Sequence, residues 1–562
     1  MANENKAYKE RYGNLTPGLA SHIESSGGHE LIPVVIVLRD TEIEQEQPQQ
    51  QFIDSETYQS LSSSEKKALL ESEEARRVEM DAYLKARARR ILAPFEARLS
   101  NLGAGVHPDS YFLQVSAKLS AEAIEEVNKW PEVRMIDLDS QNQPELNVTR
   151  PSIGATTVHS RGVTGTGVKV GIVDLGGRIA TANPFLAGTF QDSSTVCATP
   201  DEHTTALAGI VRSTDSTGRG IAPGAALWTG GSCLDVWDEL RDRSHGAADW
   251  GAKVLNLSWG ADTGRFFSFR DIFYDQYVQF RSVVVVKSAG NRGSDCGLNG
   301  NVTSPGLAYN VITVGGFKDH NTVDWADDNM YECSSWNNPF TANNDLEKPE
   351  LVAPSHKIYT TTVASPWLSQ QNAIDGSLHN GTSFAAPHVA SLAALLMQRD
   401  PYFVYKPNLV KAIILACAAH NIEDGPIYGY RDGAGAISAL WADDIASRFM
   451  GSWGLMPYAC TFQNPQLGVT LINLPAGLRT RVAIAWIADT ANVNYPNVPS
   501  ADINLEVRSP NGISFWSSSF DGTYEIVDFD TPVAGNYSLY LWRRNCASVP
   551  GSAIAYAYWQ AH

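Results

Sequence analysis

The sequence predicts an α/β protein in which a parallel sheet with helices on both faces lies between a small α+β region and an all-β region. Three regions with different residue patterns along the 562 residues support this prediction. Residues 1–147 are charged and helix-rich, residues 148–450 alternate short apolar strands with helices, and residues 451–562 alternate strands with turns. We expect these three ranges to be the domains.

The first region is predicted to form a small open sheet with helices on one face. Its expected strands are Leu31–Leu38, Tyr111–Val115 and Val133–Leu138. Ser120 is the expected N-cap of a short helix between the last two strands. A long helical insertion occupies residues 42–102, and Ser62 with Glu65 is expected to form a capping box where its helix begins.

The central region has the pattern of a parallel sheet that is buried on both faces. Its strands are nearly continuous runs of Val and Ile, which leave no polar face for solvent. Helical stretches separate the runs, as the crossover connections of a parallel sheet require. The clearest expected strands are Lys169–Val173, Val254–Leu257, Val283–Lys287 and Asn310–Val314.

The last region shows strands at regular spacing and no evident helix. Runs such as VTLINL, INLEVRS and YSLYLWR are separated by turn residues. This pattern predicts a β-sandwich or jelly roll.

The net charge argues against nucleic acid as a partner, and the hydropathy argues against a membrane-spanning helix. The formal net charge is −18, whereas a protein that binds nucleic acid needs a basic face. No stretch approaches the roughly 20 apolar residues of a membrane helix. The opening MANENKAYKERYG has no basic segment before an apolar run, so no signal peptide is predicted. Either the protein stays inside the cell or a signal has been removed.

Seven cysteines bear on the redox compartment. Cys417 lies in an apolar helical run and is expected to be a buried thiol. The other six lie in polar, loop-like contexts, which favour disulfides in an oxidising compartment, and six unpaired thiols are the alternative. Six cysteines allow fifteen complete pairings, and the placement of the cysteines along the chain favours the one in which neighbours in sequence form three disulfides. They are Cys197–Cys233, Cys296–Cys333 and Cys460–Cys546.

Four local motifs carry residues suited to hydrolysis. Ser383 in GTSFAAPHVA opens a run of small helix-forming residues, and a helix N-terminus favours developing negative charge. Asp174 ends the apolar strand VGIVD, where functional groups of an α/β sheet gather. His203 begins the helical stretch HTTALAGIV, and Asn291 in SAGN follows a buried strand. Each alone also fits a structural role, as a cap, a turn residue or a core histidine.

Together, in the order Asp174, His203, Asn291 and Ser383, these motifs resemble the subtilisin family of serine proteases. KPELVAP at 348–354 and DGAGAISA at 432–439 resemble further pieces of the family, so the resemblance covers about residues 148–450. The family's His-Gly-Thr-His motif is altered here, because Thr204 replaces a glycine and Ala206 replaces the second histidine.

The resemblance implies a role for each of these residues. Ser383 is the implied nucleophile, His203 its base, Asp174 the partner of the histidine and Asn291 an oxyanion donor. LSWG resembles the strand edge that pairs with substrate backbone beside the S1 pocket. The residues of that edge are Ser258, Trp259 and Gly260.

The flanking regions extend the resemblance. VVIVLRD at 34–40 and the segment 111–139 resemble the family's inhibitory propeptide, which implies a serine endopeptidase made as a zymogen. Residues 139–149 are expected to run extended into the cleft and to add to an edge such as Leu257–Gly260. Residues 451–562 look like the small β-sandwich that follows some catalytic domains of the family.

The expected partners are protein or peptide substrates and the chain's own propeptide, with no nucleic acid, no membrane and a monomeric state. No cofactor is expected for catalysis, and the resemblance implies structural Ca²⁺ without indicating its ligands. A secreted enzyme is the first expectation and a cytoplasmic one the alternative. The functional alternatives are an intracellular maturation protease with one peptide target and an inactive peptide-binding homologue.

Overall fold

The computed structural model describes residues 12–16, 19–20, 22–23, 31–39, 60–138, 143–144, 151–216, 218–320, 322–363, 374–375, 379–423 and 431–561. Its helices are α1 (Ser63–Leu99), α2 (Ala121–Val127), α3 (Ala155–Ser160), α4 (Glu202–Arg212), α5 (Trp237–Asp249), α6 (Phe269–Arg281), α7 (Thr382–Arg399), α8 (Pro407–Cys417) and α9 (Ala439–Ala446). None of these described helices is both long enough and apolar enough to span a membrane.

The strands fall into three groups along the chain. The N-terminal group comprises β1 (Ile32–Leu38), β2 (Gly103–Pro108), β3 (Gln114–Leu119), β4 (Val133–Leu138) and β5 (Gln143–Pro144). The central group comprises β6 (Lys169–Leu175), β7 (Phe190–Gln191), β8 (Ala226–Ser232), β9 (Val254–Leu257), β10 (Trp259–Gly260), β11 (Val284–Ser288), β12 (Ile312–Lys318), β13 (Asn329–Met330), β14 (Leu351–Pro354), β15 (Thr360–Thr361) and β16 (Ile374–Asp375). The C-terminal group comprises β17 (Gly451–Pro457), β18 (Gln466–Leu474), β19 (Arg479–Ala485), β20 (Ala501–Arg508), β21 (Ser514–Ser517), β22 (Tyr524–Asp530), β23 (Gly535–Cys546) and β24 (Ala553–Gln560).

The N-terminal sheet has four antiparallel strands in the order β2-β3-β1-β4. The capping box of Ser62 and Glu65 is confirmed where α1 begins, and Ser120 caps α2 as expected. The strand expected at Tyr111–Val115 begins later, at Gln114. Tyr111 and Phe112 instead turn their rings onto His245 of α5, with ring centroids 4.5 and 5.9 Å away.

The central sheet has eight strands, along the order β13-β12-β11-β9-β6-β8-β7 with β14 also beside β12. All its pairs are parallel except that of β12 with the short edge strand β13. Alternate strand residues enter two separate cores. One core contains residues of α4, α7 and α8, and the other contains residues of α5 and α6. The predicted α/β sheet with helices on both faces is therefore confirmed, with one antiparallel edge added.

The C-terminal region forms two four-stranded sheets with a shared apolar core, as the all-β prediction requires. One sheet has the order β17-β24-β19-β22 and the other β18-β23-β20-β21. Trp453 of β17 and Trp559 of β24 belong to the same buried core as α7 and α8. The sandwich is thus joined to the central sheet through continuous apolar packing.

The three expected disulfides are confirmed, as is the buried thiol. Cys197–Cys233 and Cys296–Cys333 lie in the central region, and Cys460–Cys546 lies in the sandwich. Burial raises the pKa of the Cys417 thiol to about 12, which makes it an unreactive core residue.

Candidate active site

Asp174 and His203 are held together at the carboxyl end of the central sheet. Asp174 lies near the end of β6 and is fully buried. His203 lies in the first turn of α4, whose N-cap is Asp201. The His203 Nδ1–H donates to Asp174 Oδ2 at 2.6 Å. This bond fixes the imidazole tautomer and leaves Nε2 as the nitrogen that can accept a proton.

Thr204 supplies a second hydrogen-bond donor to the same carboxylate. Its hydroxyl lies 3.0 Å from Asp174 Oδ2 and 2.8 Å from Asp201 Oδ1, and it accepts from the Gly177 N–H at 3.1 Å. Asp174 Oδ1 accepts no hydrogen bond within the described part of the chain. Asp174 Oδ2 is therefore hydrogen-bonded to both His203 and Thr204. Thr204 stands at the position where the family has glycine.

Asp201 adds a second carboxyl group to this network. Burial and the neighbouring charge of Asp174 raise the pKa of Asp201. The Thr204 N–H donates to Asp201 Oδ1 at 2.7 Å, so Asp201 keeps one donor whichever way the Thr204 hydroxyl points. The hydroxyl has a single proton, for which Asp174 and Asp201 compete.

We expect Thr204→Val to lower kcat/KM roughly tenfold, because a hydrogen bond to a charged group is lost from the partner of His203. Thr204→Ser keeps the hydroxyl and is the matched control, with activity within about threefold of the wild type. Kinetics of peptide hydrolysis across pH 5–9 measure both variants. A folded Thr204→Val enzyme with the wild-type kcat/KM would contradict this role.

Ser383 lies in the first turn of α7, on the other side of the cleft. Its Oγ donates to the Ser258 carbonyl oxygen at 2.9 Å, and Ser258 Oγ donates to the Ser383 carbonyl oxygen at 2.6 Å. The ring of Phe384 packs on His203 with centroids 5.6 Å apart. α7 and α4 thereby bring Ser383 and His203 to one site. Attack requires the Ser383 hydroxyl to turn from Ser258 to His203, as catalytic hydrogen bonds do when substrate binds.

Asn291 follows β11 and faces the start of α7. Its Oδ1 accepts the Thr382 N–H at 2.9 Å, and the Gly290 N–H donates to Thr382 Oγ1 at 3.0 Å. With Oδ1 used in this way, Nδ2 is the end of the amide that can donate to an oxyanion beside Ser383. The structure thus places Asn291 against the residue that precedes Ser383, and the roles of Asn291 and Ser383 stay predictions.

The edge Ser258, Trp259 and Gly260 lies beside Ser383, as the sequence predicts. The Trp259 side chain is buried and its Nε1–H donates to the Val173 carbonyl oxygen at 3.0 Å. The backbone of this edge forms β10, which pairs antiparallel with β5, in the register Trp259 with Pro144 and Gly260 with Gln143. The strand addition expected for 139–149 is confirmed for these two residues, and the rest of that segment lies outside the described residues.

The Glu202 carboxylate is bound by groups other than Asp174, His203 and Ser383. Its carboxylate accepts the Val363 N–H at 2.7 Å and lies 3.3 Å from His379 Nε2. Burial would raise the pKa of Glu202, but hydrogen bonds from His379, Thr362 and Val363 outweigh it and lower the pKa. Glu202 therefore anchors a neighbouring loop.

One group of side chains in the described part of the chain has metal-ligand spacing. The ligand atoms of Asp174, Asp201 and His203 lie within 4.8 Å of one another. Asp174 and His203 are hydrogen-bonded to each other, and a histidine nitrogen is not a ligand that Ca²⁺ prefers. This group is therefore not the calcium site that the resemblance implies, and structural Ca²⁺ stays a prediction without named ligands.

Sequence reasoning missed two features of the site. The contact of Thr204 with Asp174 joins residues 30 positions apart, so no local pattern shows it. Lys287 is the one charged residue in the run VVVVK, lies within β11 and is fully buried. A charged residue in such a strand is a signal that the sequence does contain, because buried lysines are rare without a function or a partner.

Comparison with known proteins agrees with this geometry. The model of the subtilase family, Peptidase_S8, matches residues 165–437. Serine protease AprX of Bacillus subtilis (strain 168) is 28% identical over 357 residues, covering 58% of this chain and 77% of its own length. Subtilisin DY of Bacillus licheniformis is 28% identical over 289 residues, covering 50% of this chain and 93% of its own.

A solved structure extends the likeness in fold beyond the central region. Fervidolysin from Fervidobacterium pennivorans, described as a keratinolytic enzyme related to subtilisin, matches 96% of this chain and 77% of its own with a TM-score of 0.50. Its sequence identity is 17%, so the match bears on the fold alone.

The site and the fold define a serine peptidase of the α/β class. Residues 165–437 match the subtilase family, and the chain is similar to subtilisin-like serine endopeptidases.

Proposed function

We propose that the protein is the zymogen of a secreted serine endopeptidase, whose N-terminal region inhibits the catalytic domain until it is cut away. The observation that carries the proposal is the pairing of β5 with β10. The chain's own residues 143–144 occupy the strand edge beside Ser383 that a substrate backbone needs. A chain whose substrate edge is filled in this way cannot bind a peptide there at the same time.

Ser383 Oγ attacks the scissile carbonyl carbon while His203 Nε2 takes the hydroxyl proton, and the tetrahedral intermediate places its oxyanion between Asn291 Nδ2 and the Ser383 N–H. Asp174, held by Thr204, stabilises the imidazolium that forms. His203 then gives the proton to the leaving amine. Water, activated by His203, hydrolyses the acyl-enzyme and restores Ser383.

Contacts of the N-terminal sheet with α5 and α6 support an inhibitory role. The Tyr111 hydroxyl donates to Asp249 at 2.9 Å at the end of α5, and the Phe269 N–H at the start of α6 donates to Asp137 at 3.3 Å. Asp109 is buried 3.2 Å from His245 and 3.4 Å from Arg241. Burial would raise the pKa of Asp109, but His245 and Arg241 outweigh it and hold the pKa at about 2.

The long helix α1 widens this interface. Its Glu74 lies 3.2 Å from Lys253, and its Asp81 lies 2.8 Å from the buried Arg281 of α6. Farther along the chain, Arg134 donates to the Thr490 carbonyl oxygen at 3.0 Å in the C-terminal region. The N-terminal region is therefore held by both other regions, which suits an inhibitor that remains bound after its link is cut.

The three disulfides support the secreted part of the proposal, since disulfides persist in oxidising compartments and are rare in the cytosol.

Incubation of the purified full-length protein tests the proposal. We expect the wild type to cut itself after β5, and hydrolysis of an added peptide to rise as the N-terminal region is lost. N-terminal sequencing and gel electrophoresis follow the cut, and the Ser383→Ala chain, which should stay intact, is the matched control. An uncut wild-type chain that hydrolyses peptides at its maximal rate from the start would overturn the zymogen proposal.

A further inference from the structure

A cavity of about 180 Å³ lies where the three regions of the chain meet. Its wall includes Asn14 and Met135 of the N-terminal region, Phe267 of the central region and Pro496 of the C-terminal region. The catalytic hydrogen bonds and the pairing of β5 with β10 use none of the residues in this wall. The peptidase mechanism therefore gives this cavity no role.

Two arginines, Arg39 and Arg134, line the cavity, and no carboxylate group does. The Arg134 guanidinium donates to the carbonyl oxygen of Thr490 at 3.0 Å and to that of Tyr495. Arg39 Nη2 donates to the side-chain oxygen of Asn14 at 3.2 Å. All three acceptors are neutral, and neither guanidinium forms an ion pair with a carboxylate of the described residues. The cavity wall therefore carries two positive charges that the described chain does not balance.

The two guanidinium groups also act on each other. Arg134 is partly buried, and both its burial and the neighbouring positive charge of Arg39 lower its pKa. Arginine nevertheless stays charged at neutral pH, so the two like charges coexist in the folded chain. An anion between them forms charge-assisted hydrogen bonds with both groups and screens their repulsion. The charge of the wall therefore favours an anionic ligand.

Aromatic side chains form much of the remaining wall. The ring centroids of Phe266 and Phe340 lie 5.0 Å apart, and the Arg134 guanidinium lies 4.9 Å from the centroid of the Tyr495 ring. Phe340 is 36% exposed and Val493 is 92% exposed, so apolar parts of the wall also meet solvent. Apolar surface beside unbalanced cations is complementary to a ligand with one anionic end and an apolar body.

We propose that this cavity binds a small carboxylate with an apolar body, and that the bound ligand holds the N-terminal region on the enzyme. The carboxylate group accepts hydrogen bonds from Arg39 and Arg134, and the apolar body packs on the rings of Phe340 and Tyr495. The volume suits one aromatic ring with a short chain, because a cavity of roughly 150 Å³ accepts benzene. A free arylalkanoic acid and the C-terminal residue of a peptide both offer this chemistry.

The site is complete only while the three regions are together. Arg39 and Arg134 belong to the N-terminal region, whereas Phe340 and Tyr495 belong to the other two regions. A ligand that contacts both sets of residues binds the assembled chain and not an enzyme that has lost its N-terminal region. By mass action it stabilises the assembled form. This regulatory consequence rests on the proposed zymogen, whereas the binding site itself does not.

Calorimetric titration of the full-length Ser383→Ala chain, which should not cut itself, tests the site. Hydrocinnamate should bind at a single site per chain. Its neutral amide, and acetate, which lacks the apolar body, should each bind at least about tenfold more weakly. The tripeptide Ala-Ala-Phe and its C-terminal amide are compared in the same way. Tighter binding of the tripeptide than of hydrocinnamate identifies a peptide C-terminus as the source of the carboxylate, and the reverse order identifies a free acid.

Arg39→Gln and Arg98→Gln, each in the same chain, form a matched pair. Both arginines are exposed and belong to the N-terminal region, but Arg98 pairs with Glu132, lies over the Trp130 ring and does not line the cavity. Arg39→Gln should weaken hydrocinnamate binding at least about tenfold, and Arg98→Gln should change it by no more than about twofold. Arg134→Gln is a second variant with the expected result of Arg39→Gln. The melting temperature of each chain without ligand shows whether it is folded.

The wild-type chain tests the regulatory consequence. Its hydrolysis of an added peptide should begin after a lag, during which the cut N-terminal region leaves. Hydrocinnamate at about ten times its dissociation constant should lengthen this lag by up to about tenfold, because it favours the assembled form by that factor. The lag of Arg39→Gln should not respond to hydrocinnamate. Hydrolysis by the fully processed enzyme should also be unchanged, which separates this effect from inhibition in the cleft.

The outcomes separate the inference from the proposed function. Equal binding of hydrocinnamate and its amide, or full binding to folded Arg39→Gln and Arg134→Gln chains, would overturn the site while self-cleavage continued. Selective binding with an unchanged lag in the wild type would overturn the regulatory consequence. Selective binding to a wild-type chain that never cuts itself would instead contradict the zymogen proposal and leave the site in place.

Discussion

Ser383→Ala should lower kcat for peptide hydrolysis by on the order of 10⁶, a loss of the size known for the serine of subtilisin itself. The hydroxyl is the one covalent nucleophile in the mechanism, and without it the remaining groups only bind and polarise the substrate. The substitution removes one buried oxygen that bonds to Ser258, so the fold should persist. The measurement is kcat on a peptide substrate, with the concentration of the protein determined by its absorbance.

Ser391→Ala is the matched control for this variant. Ser391 lies two turns farther along α7 and is equally buried, but it is remote from the cleft. Its activity should stay within about threefold of the wild type. A Ser383→Ala enzyme that keeps even a hundredth of the wild-type kcat would show that another residue is the nucleophile.

Asn291→Ala should lower kcat by roughly 10²–10³ with little change in KM. This is the loss measured for the corresponding donor of subtilisin and is not a figure derived from the present distances. The amide is aimed by its bond to the Thr382 N–H, so its Nδ2 acts on the oxyanion, which exists only in the transition state and the tetrahedral intermediate. Steady-state kinetics on one peptide substrate separate kcat from KM.

Asn299→Ala serves as the control for Asn291→Ala. Asn299 lies close in sequence, but its amide binds Asp262 and Arg292 away from the nucleophile. We expect nearly unchanged kcat in that variant. An Asn291→Ala enzyme whose loss lies mainly in KM would mean that the amide binds the ground state of the substrate.

Local patterns in the sequence were sufficient for most of the fold. The strands β6, β9, β11 and β12 were predicted from their Val and Ile runs, because a strand that is buried on both faces is a nearly continuous run of apolar residues. The strand β2 was not predicted because its sequence, GAGVHP, has two glycines and little strand propensity. It forms because it pairs with β3. The predicted start of β3 was too early because Tyr111 and Phe112 are aromatic residues that pack against α5 and α6 and do not belong to the sheet.

The elements that carry the proposed catalytic groups were predictable, because each group sits in a short motif whose element the sequence also predicts. Asp174 ends a strand, and His203 and Ser383 each begin a helix. The supporting contacts were not predictable in this way. Thr204 meets Asp174, and Lys287 meets Thr303, only because the sheet and its crossovers bring distant segments together.

Covalent labelling with diisopropyl fluorophosphate tests the central claim, that Ser383 is a nucleophile activated by His203 and Asp174. Intact-mass spectrometry of the self-processed enzyme should show one adduct per chain, and peptide mapping should place it on Ser383. Full-length Ser383→Ala and His203→Ala chains, each processed by added wild-type enzyme, should take up no label under the same conditions. An adduct on another residue, or labelling of the His203→Ala enzyme at the wild-type rate, would contradict the assignment of the triad.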